Sequence, residues 1–235
     1  MIDFSKYPLN AEDTKELSTL KIDMAFQPIF AAKNLDIFAY EALMRPEGKT
    51  PLELIDEYQK DNKLSVIEVA TCIGAAQEFV RRGYTQKLCI NSLPSEVLTK
   101  EQAEVYYGSF PELRGRVVVE ITEHTRPDKK SWIAKKNFID SHGTLTAVDD
   151  YLTGYNNQEA VKYFQPEYVK LDRSFVADID TDTDKQRKIQ ELAHELHQQG
   201  IQVIAEGIET KAELEYLRFQ TDVDYFQGFY LGRPQ

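Results

Sequence analysis

The chain has 235 residues, a net charge of −11, and 42% hydrophobic and 29% charged residues. That length and apolar content can bury one large α/β core or two small ones, and nothing in the composition is collagen-like or disorder-like. The acidic balance argues against binding a DNA or RNA polymer, which calls for basic patches, and no apolar run approaches the roughly 20 residues needed to cross a bilayer.

The N-terminal stretch "MIDFSKYPLNAEDTKELSTL" has no basic head followed by an apolar run, so no signal peptide is expected. From there, short apolar runs recur: "MAFQPIF", "DIFAYEAL", "KLCIN", "RVVVEI", "LTAVD", "YVKL", "IQVIAE" and "VDYFQG". Most are separated by stretches with apolar residues at i, i+3, i+4 and i+7, the helical period: "SVIEVATCIGAAQEFVRR", "PSEVLTKEQAEVYY", "DKKSWIAKKNFIDSHG", "NQEAVKYF", "TDKQRKIQELAHELHQQG" and "KAELEYLRF". Gly143 and Gly200 stand where glycines end helices. Repetition of strand and helix implies right-handed crossovers and a mostly parallel sheet. About eight strands point to an α/β fold of the (β/α)8 TIM-like barrel type. A doubly wound open sheet is the rival, weakened by the absence of a G-x-G-x-x-G after any strand. The first two strands are joined by "AAKNLD", too short for a crossover helix, so one antiparallel strand is expected. Residues 1–21 are expected to be a lead-in packed on a single barrel domain, 22–235. Cys72 and Cys89 lack metal-type spacing and fit reduced core residues of a cytoplasmic protein.

Polar residues end the strands: Glu41, Asn91, Glu120, Asp149 with Asp150, Lys170, Glu206 and Gln227. In a parallel barrel the C-terminal strand ends open onto one mouth, where active sites lie. Any one of these acids alone is a helix cap. Five carboxylates and an amide together repel by several kcal/mol unless cations sit among them. Oxygen ligands without His or Cys partners point to hard cations, Mg²⁺ or Mn²⁺. The four histidines follow no ligand spacing, and no Ser/His/Asp or Cys/His set is evident. Two metals in an acidic cluster are a recurrent solution for phosphodiester hydrolysis.

The segments "FQPIF", "YEALMRP", "INSLPS", "VEITEH", "DDYLTGYNN", "VKLDRSF", "AEGIET" and "FQGFYLGRP", in this order between about residue 22 and 234, resemble the EAL domain, the cyclic di-GMP phosphodiesterase family. The resemblance implies that Glu41, Asn91, Glu120 and Asp149 hold a first Mg²⁺ or Mn²⁺, and that Asp149 and Asp150 hold a second. It implies that Lys170 lies beside the attacking water with a depressed pKa, and that Glu206 is a general base or a ligand of the metal–water cluster. Arg45, Gln27, Leu43 and Gln227 match positions facing the substrate. Glu123, Asp172 and Glu209 match positions that hold the mouth loops; alone, each would be a solvated charge or a helix cap. The implied reaction opens cyclic di-GMP to linear pGpG, and family likeness implies a homodimer.

Two departures stand out. Leu152 occupies a position where the family has glycine; if the backbone there needs positive φ, leucine costs roughly 1 kcal/mol or more. "INSLPS" shifts the usual serine while keeping Asn91. A closed barrel normally carries a helix after its eighth strand, and "NAEDTKELSTL" is a candidate to cover that gap. The alternatives are a catalytically silent cyclic di-GMP receptor or interaction module, for which Leu152 speaks, and hydrolysis of another phosphodiester.

Overall fold

The alternating runs close, in the computed structural model, into a barrel of eight strands in sequential order. The structure describes residues 2–122, 129–152 and 158–235. The strands are β1 Ile22–Ala31, β2 Ile37–Pro46, β3 Lys87–Ser92, β4 Val117–Ile121, β5 Leu145–Val148, β6 Tyr168–Leu171, β7 Gln202–Ala205 and β8 Tyr225–Phe226. β1 is antiparallel to β2 and to β8, and the other neighbours are parallel. This is the TIM-like barrel with one antiparallel strand that the short first connector requires.

The helices are α1 Ala11–Thr19, α2 Pro51–Lys60, α3 Leu64–Arg81, α4 Lys100–Ser109, α5 Lys129–His142, α6 Gln158–Phe164, α7 Arg173–Val176, α8 Thr183–Gln198 and α9 Lys211–Gln220. Local chemistry sets several of their starts. Thr50, Thr99 and Thr210 each accept a hydrogen bond from the backbone three residues on, while Glu53, Gln102 and Glu213 reach back to the cap. The Thr99 cap explains one difference from the sequence pattern: the segment from Pro94 is helical only from Lys100. α1, α2 and the single turn α7 were not among the expected helices, although Thr50-Pro51 is a start signal, with proline at the first helical position.

Strand alternation explains the interior. Residues i and i±2 share a face, so the positions two below the polar strand ends form one inward layer. That layer is apolar and sealed: Ile29, Ala39, Cys89, Val118, Ala147, Tyr168 and Ile204 are buried together, with Tyr225 packed on them. The opposite strand faces pack against helices in two large clusters. One joins β1–β4 to α1–α4, and the other joins β5–β8 to α7–α9. Burial pushes the Cys72 and Cys89 thiols upward, and both cysteines are free.

Both ends of the chain are tied to β1. The Ile2 amide donates to the Ile22 carbonyl, and Ile2, Phe4, Leu17 and Leu20 join the cluster containing Ile22 and Met24. Phe26 and Gln235 exchange two backbone hydrogen bonds, of 2.8 and 3.1 Å. Arg82 fastens this corner: its guanidinium donates to the Gln235 and Met24 carbonyls and lies 5.1 Å from the Phe26 ring centroid. Glu78 holds Arg82 in place at 2.8 Å and also binds Arg81.

The hydrogen bonds from Arg81, aided by Arg82, take the Glu78 carboxyl from its ordinary 4.5 to about 2. A depressed carboxylate stabilises the fold above its unfolded pKa, and that contribution is lost as pH falls through the folded one. Glu78→Gln is therefore expected to lower stability at neutral pH. In urea titrations the gap from wild type should stay constant above about pH 5 and shrink between pH 4.5 and about 2. A gap independent of pH would contradict this.

Candidate functional site

The register places one polar side chain from each strand at the same level of the mouth. Gln27 pairs with Glu41 across β1–β2, and Asn91 with Glu120 across β3–β4. Asp149 follows β5, Lys170 lies in β6, Glu206 follows β7 and Gln227 follows β8. Lys170 is 1% exposed and is the centre of the group. Its Nζ lies 2.8 Å from Glu206, 3.1 Å from both Glu120 and Asp149, and 3.5 Å from Glu41. Glu41 accepts hydrogen bonds from Asn91 Nδ2 at 3.0 Å and Gln227 Nε2 at 2.6 Å. Gln227 also donates to Gln27, whose own amide donates to the Gly232 carbonyl. Gly228 allows this close weave: a Cβ there would lie 2.1 Å from the Ile208 carbonyl oxygen.

The electrostatics are lopsided. Burial pushes Glu120 and Glu206 well above the carboxylate range, and neighbouring carboxylates add to the effect against the pull of Lys170. Burial also acts on Glu41, but Lys170 and the hydrogen bonds from Gln227 and Asn91 outweigh it and lower its pKa. Burial alone would lower Lys170; the charges of Asp149, Glu120, Glu206 and Glu41 instead hold it well above its ordinary value. Four carboxylates facing one buried ammonium produce that rise; the depressed lysine expected from the sequence belongs to a site holding two divalent cations, whose charge would oppose it.

The donor set fits hard divalent cations. Glu120 Oε1 is buried with no hydrogen-bond partner among the described residues. Asp149, Asp150 and Glu206 each offer an oxygen within 4.8 Å of the others. An all-oxygen, net-negative set suits Mg²⁺ or Mn²⁺ better than softer metals. The close carboxylate triplet includes Glu206, for which the sequence left base and ligand roles open.

The remaining expected residues sit on the rim or beyond it. Arg45 is exposed, donates to its neighbour's Met44 carbonyl and, with half-buried Leu43, lines a cavity of about 320 Å³ beside Glu41 and Asn91. A second cavity of about 240 Å³ is lined by Gln27, Glu41, Glu206, Gln227, Arg173 and Phe229. Asp172 caps α7 through the Ser174 amide, the bland role for an isolated acid. Glu209 pairs with Arg173 at 3.0 Å at the edge of the second cavity. Glu123 lies outside the described residues.

Sequence reasoning missed the supports. Arg173 bridges the Gly207 carbonyl, Glu209 and Glu213, and buried Glu213 collects the amides of Asp178, Glu209 and Thr210. Glu68, Ser92 and Lys135 form a buried charged cluster behind Asn91. The available signal was Glu68, a charge inside the apolar stretch "SVIEVATCIGAAQEFV".

Fold and mouth together define a TIM-like barrel protein with an acidic, oxygen-lined centre at the strand ends. The family model of the EAL domain matches residues 12–234, and the chain belongs to that family. Among curated relatives, the probable cyclic di-GMP phosphodiesterase PdeG of Escherichia coli (strain K12) is 30% identical over 130 residues, 55% of this chain and 25% of that protein. The probable cyclic di-GMP phosphodiesterase PdeA of the same organism is 32% identical over 153 residues, 63% of this chain and 21% of that protein. The matches thus span a quarter or less of either relative. A standalone versatile EAL protein from Vibrio cholerae O395, solved in its c-di-GMP-bound form, superposes with a TM-score of 0.81 at 27% identity, covering 92% of both chains. An EAL domain protein from Listeria monocytogenes EGD-e shares the fold, with a TM-score of 0.78 at 23% identity over 97% of this chain and 94% of that one.

The loop leaving β5 carries local strain. Asp150 has φ +47° and Leu152 φ +66°. Aspartate tolerates the left-handed region, whereas a leucine Cβ there crowds the following carbonyl, at about 1–2 kcal/mol. Between them Tyr151 is buried, and its amide donates to the Lys170 carbonyl at 3.0 Å, which fixes the backbone path. Leu152 is 39% exposed, so the burial its side chain retains offsets part of the strain. Leu152→Gly and Leu152→Ala both remove the leucine side chain, but only glycine relieves the backbone, so Leu152→Gly is expected to be more stable than Leu152→Ala by about 1 kcal/mol in urea denaturation; equal midpoints would refute strain at this position.

Proposed function

We propose that the protein is a metal-dependent phosphodiesterase that opens cyclic di-GMP to linear pGpG. The observation that carries this is the ring of polar strand-end residues around Lys170 on a barrel of the EAL family. The phosphodiesterase names of the relatives and the c-di-GMP bound to the Vibrio cholerae protein support the substrate.

In this reading Glu41, Asn91, Glu120, Asp149 and Asp150 hold two divalent cations, with Asp149 shared. Such ions, when bound, supply Lewis acidity to the ester oxygens and make a water nucleophilic at neutral pH. Lys170, fixed by its neighbours, directs positive charge at the position where the phosphoryl group accumulates negative charge. Glu206, 2.8 Å from Lys170, accepts the proton of the attacking water in this reading, or is a ligand of the metal–water cluster. Water oxygen bonds to phosphorus as one ester bond to a sugar oxygen breaks, and the leaving oxygen takes up a proton. Arg45 on the rim suits a phosphate oxygen pair through its planar fork. Gln27, Leu43 and Gln227 line the two cavities that meet at Glu41, so a two-lobed ligand can straddle that residue. Glu209 steadies the rim through Arg173; Glu123 and Asp172 are assigned to the same loop-holding role. Function in the cytoplasm and as a homodimer belongs to the same reading.

A second reading, a silent cyclic di-GMP receptor, draws on the strained backbone at Leu152 beside Asp149 and Asp150. Incubation of the pure protein with cyclic di-GMP and Mg²⁺ or Mn²⁺, followed by chromatography, separates the two. The enzyme yields pGpG, and Glu41→Ala, with folding verified by circular dichroism, lowers turnover by about a hundredfold or more. Tight binding without product identifies the receptor instead.

A further inference from the structure

Behind the mouth, on the outer face of β3, lies a charged cluster that no step above uses. Glu68 of α3 and Lys135 of α5 are 4% and 2% exposed. Lys135 Nζ lies 2.8 Å from Glu68 Oε1 and 2.7 Å from Ser92 Oγ, and Ser92 donates to the same carboxylate oxygen at 2.5 Å. The other Glu68 oxygen accepts the Leu93 amide at 3.0 Å. Thr122 donates to the Ser92 carbonyl through both its amide and its hydroxyl, each at 3.3 Å.

Apart from the Glu68–Lys135 pair itself, every bond in this cluster ends on a residue next to a mouth residue or one removed from it. Ser92 follows Asn91, and strand alternation turns the two side chains to opposite faces. Thr122 lies two residues after Glu120, on the strand end paired with that of Asn91. A buried ion pair needs further hydrogen-bond partners, and this one draws them from the end of β3, the hydroxyl of Ser92 and the amide of Leu93, rather than from the helices that carry it. Here one carboxylate holds both, and the lysine bridges carboxylate and hydroxyl. We propose that Glu68, Lys135 and Ser92 are positioning residues that clamp the ends of β3 and β4, fixing Asn91 and Glu120 at the spacing a divalent cation needs. This rests on the metal-dependent reading above.

The test is Mn²⁺ binding by electron paramagnetic resonance, alongside urea unfolding and steady-state kinetics. Removing one partner alone would strand a buried charge and confuse folding with function. The informative variant is the double substitution Glu68→Met with Lys135→Met, which removes both charges at similar volume and is expected to keep near-native stability. Its Mn²⁺ affinity should fall about tenfold or more, with lost turnover regained at saturating Mn²⁺ and KM for the cyclic dinucleotide unchanged. A folded double variant with wild-type Mn²⁺ affinity overturns the proposal. Should that variant not fold, Ser92→Ala keeps the ion pair and cuts its link to β3. Several-fold weaker Mn²⁺ binding then supports the clamp, and wild-type binding overturns it. Failure of the wild-type protein to bind Mn²⁺ sinks the metal reading and the clamp together, a result distinct from failure in the variants alone.

Discussion

One lysine among four carboxylates is the constraint on which the mouth depends. Lys170 touches Glu41, Glu120, Asp149 and Glu206 within 3.5 Å. No set of buried acids this dense is built for stability: desolvation and mutual repulsion oppose it, and one ammonium offsets only part of both. The barrel tolerates it because the layer immediately below is apolar and closed, from Ile29 to Ile204. Alternation makes that possible, since the same strands that point polar residues at the mouth point apolar residues inward two positions away.

The amides show how geometry shares the strain. Asn91 and Gln227 both donate to Glu41, which keeps that carboxylate ionised while Glu120 and Glu206 are driven the other way. Neutral donors on one side and crowding acids on the other give chemically identical side chains different properties within a few ångströms. Division of labour among like groups requires this kind of asymmetry.

Much of this was legible in the sequence, for identifiable reasons. The strands were visible because each is a short apolar run ending in a polar residue, and the antiparallel start followed from a connector too short for a helix. The mouth residues were visible because the end of a parallel strand is also a place in space. What failed to show needed the third dimension. Lys135 lies in a segment that reads as an ordinary amphipathic helix, and only folding brings it to Glu68, 67 residues away in sequence. Arg173 carries no signal of its own in "VKLDRSF", yet it spans to Gly207, Glu209 and Glu213. The late start of α4 was written locally, in Thr99 and Gln102, but the apolar period before it masked the cap.

The overall charge of −11 and an anionic ligand are compatible for the same local reason. Screening at physiological ionic strength removes most interaction beyond about 8 Å, so a bound phosphate is governed by groups in the mouth rather than by acids on the far helices. At that range the relevant charges are Lys170, Arg173 and Arg45 against the acidic ring. Arg173 is already engaged by Glu209 and Glu213, and Lys170 by four carboxylates, which leaves Arg45 as the mouth cation with no carboxylate partner among the described residues. A dianionic ligand would therefore meet net negative charge unless divalent cations entered with it or before it. On the proposed reading the acidic ring would couple cation and phosphodiester binding, each reducing the repulsion that the other would meet alone.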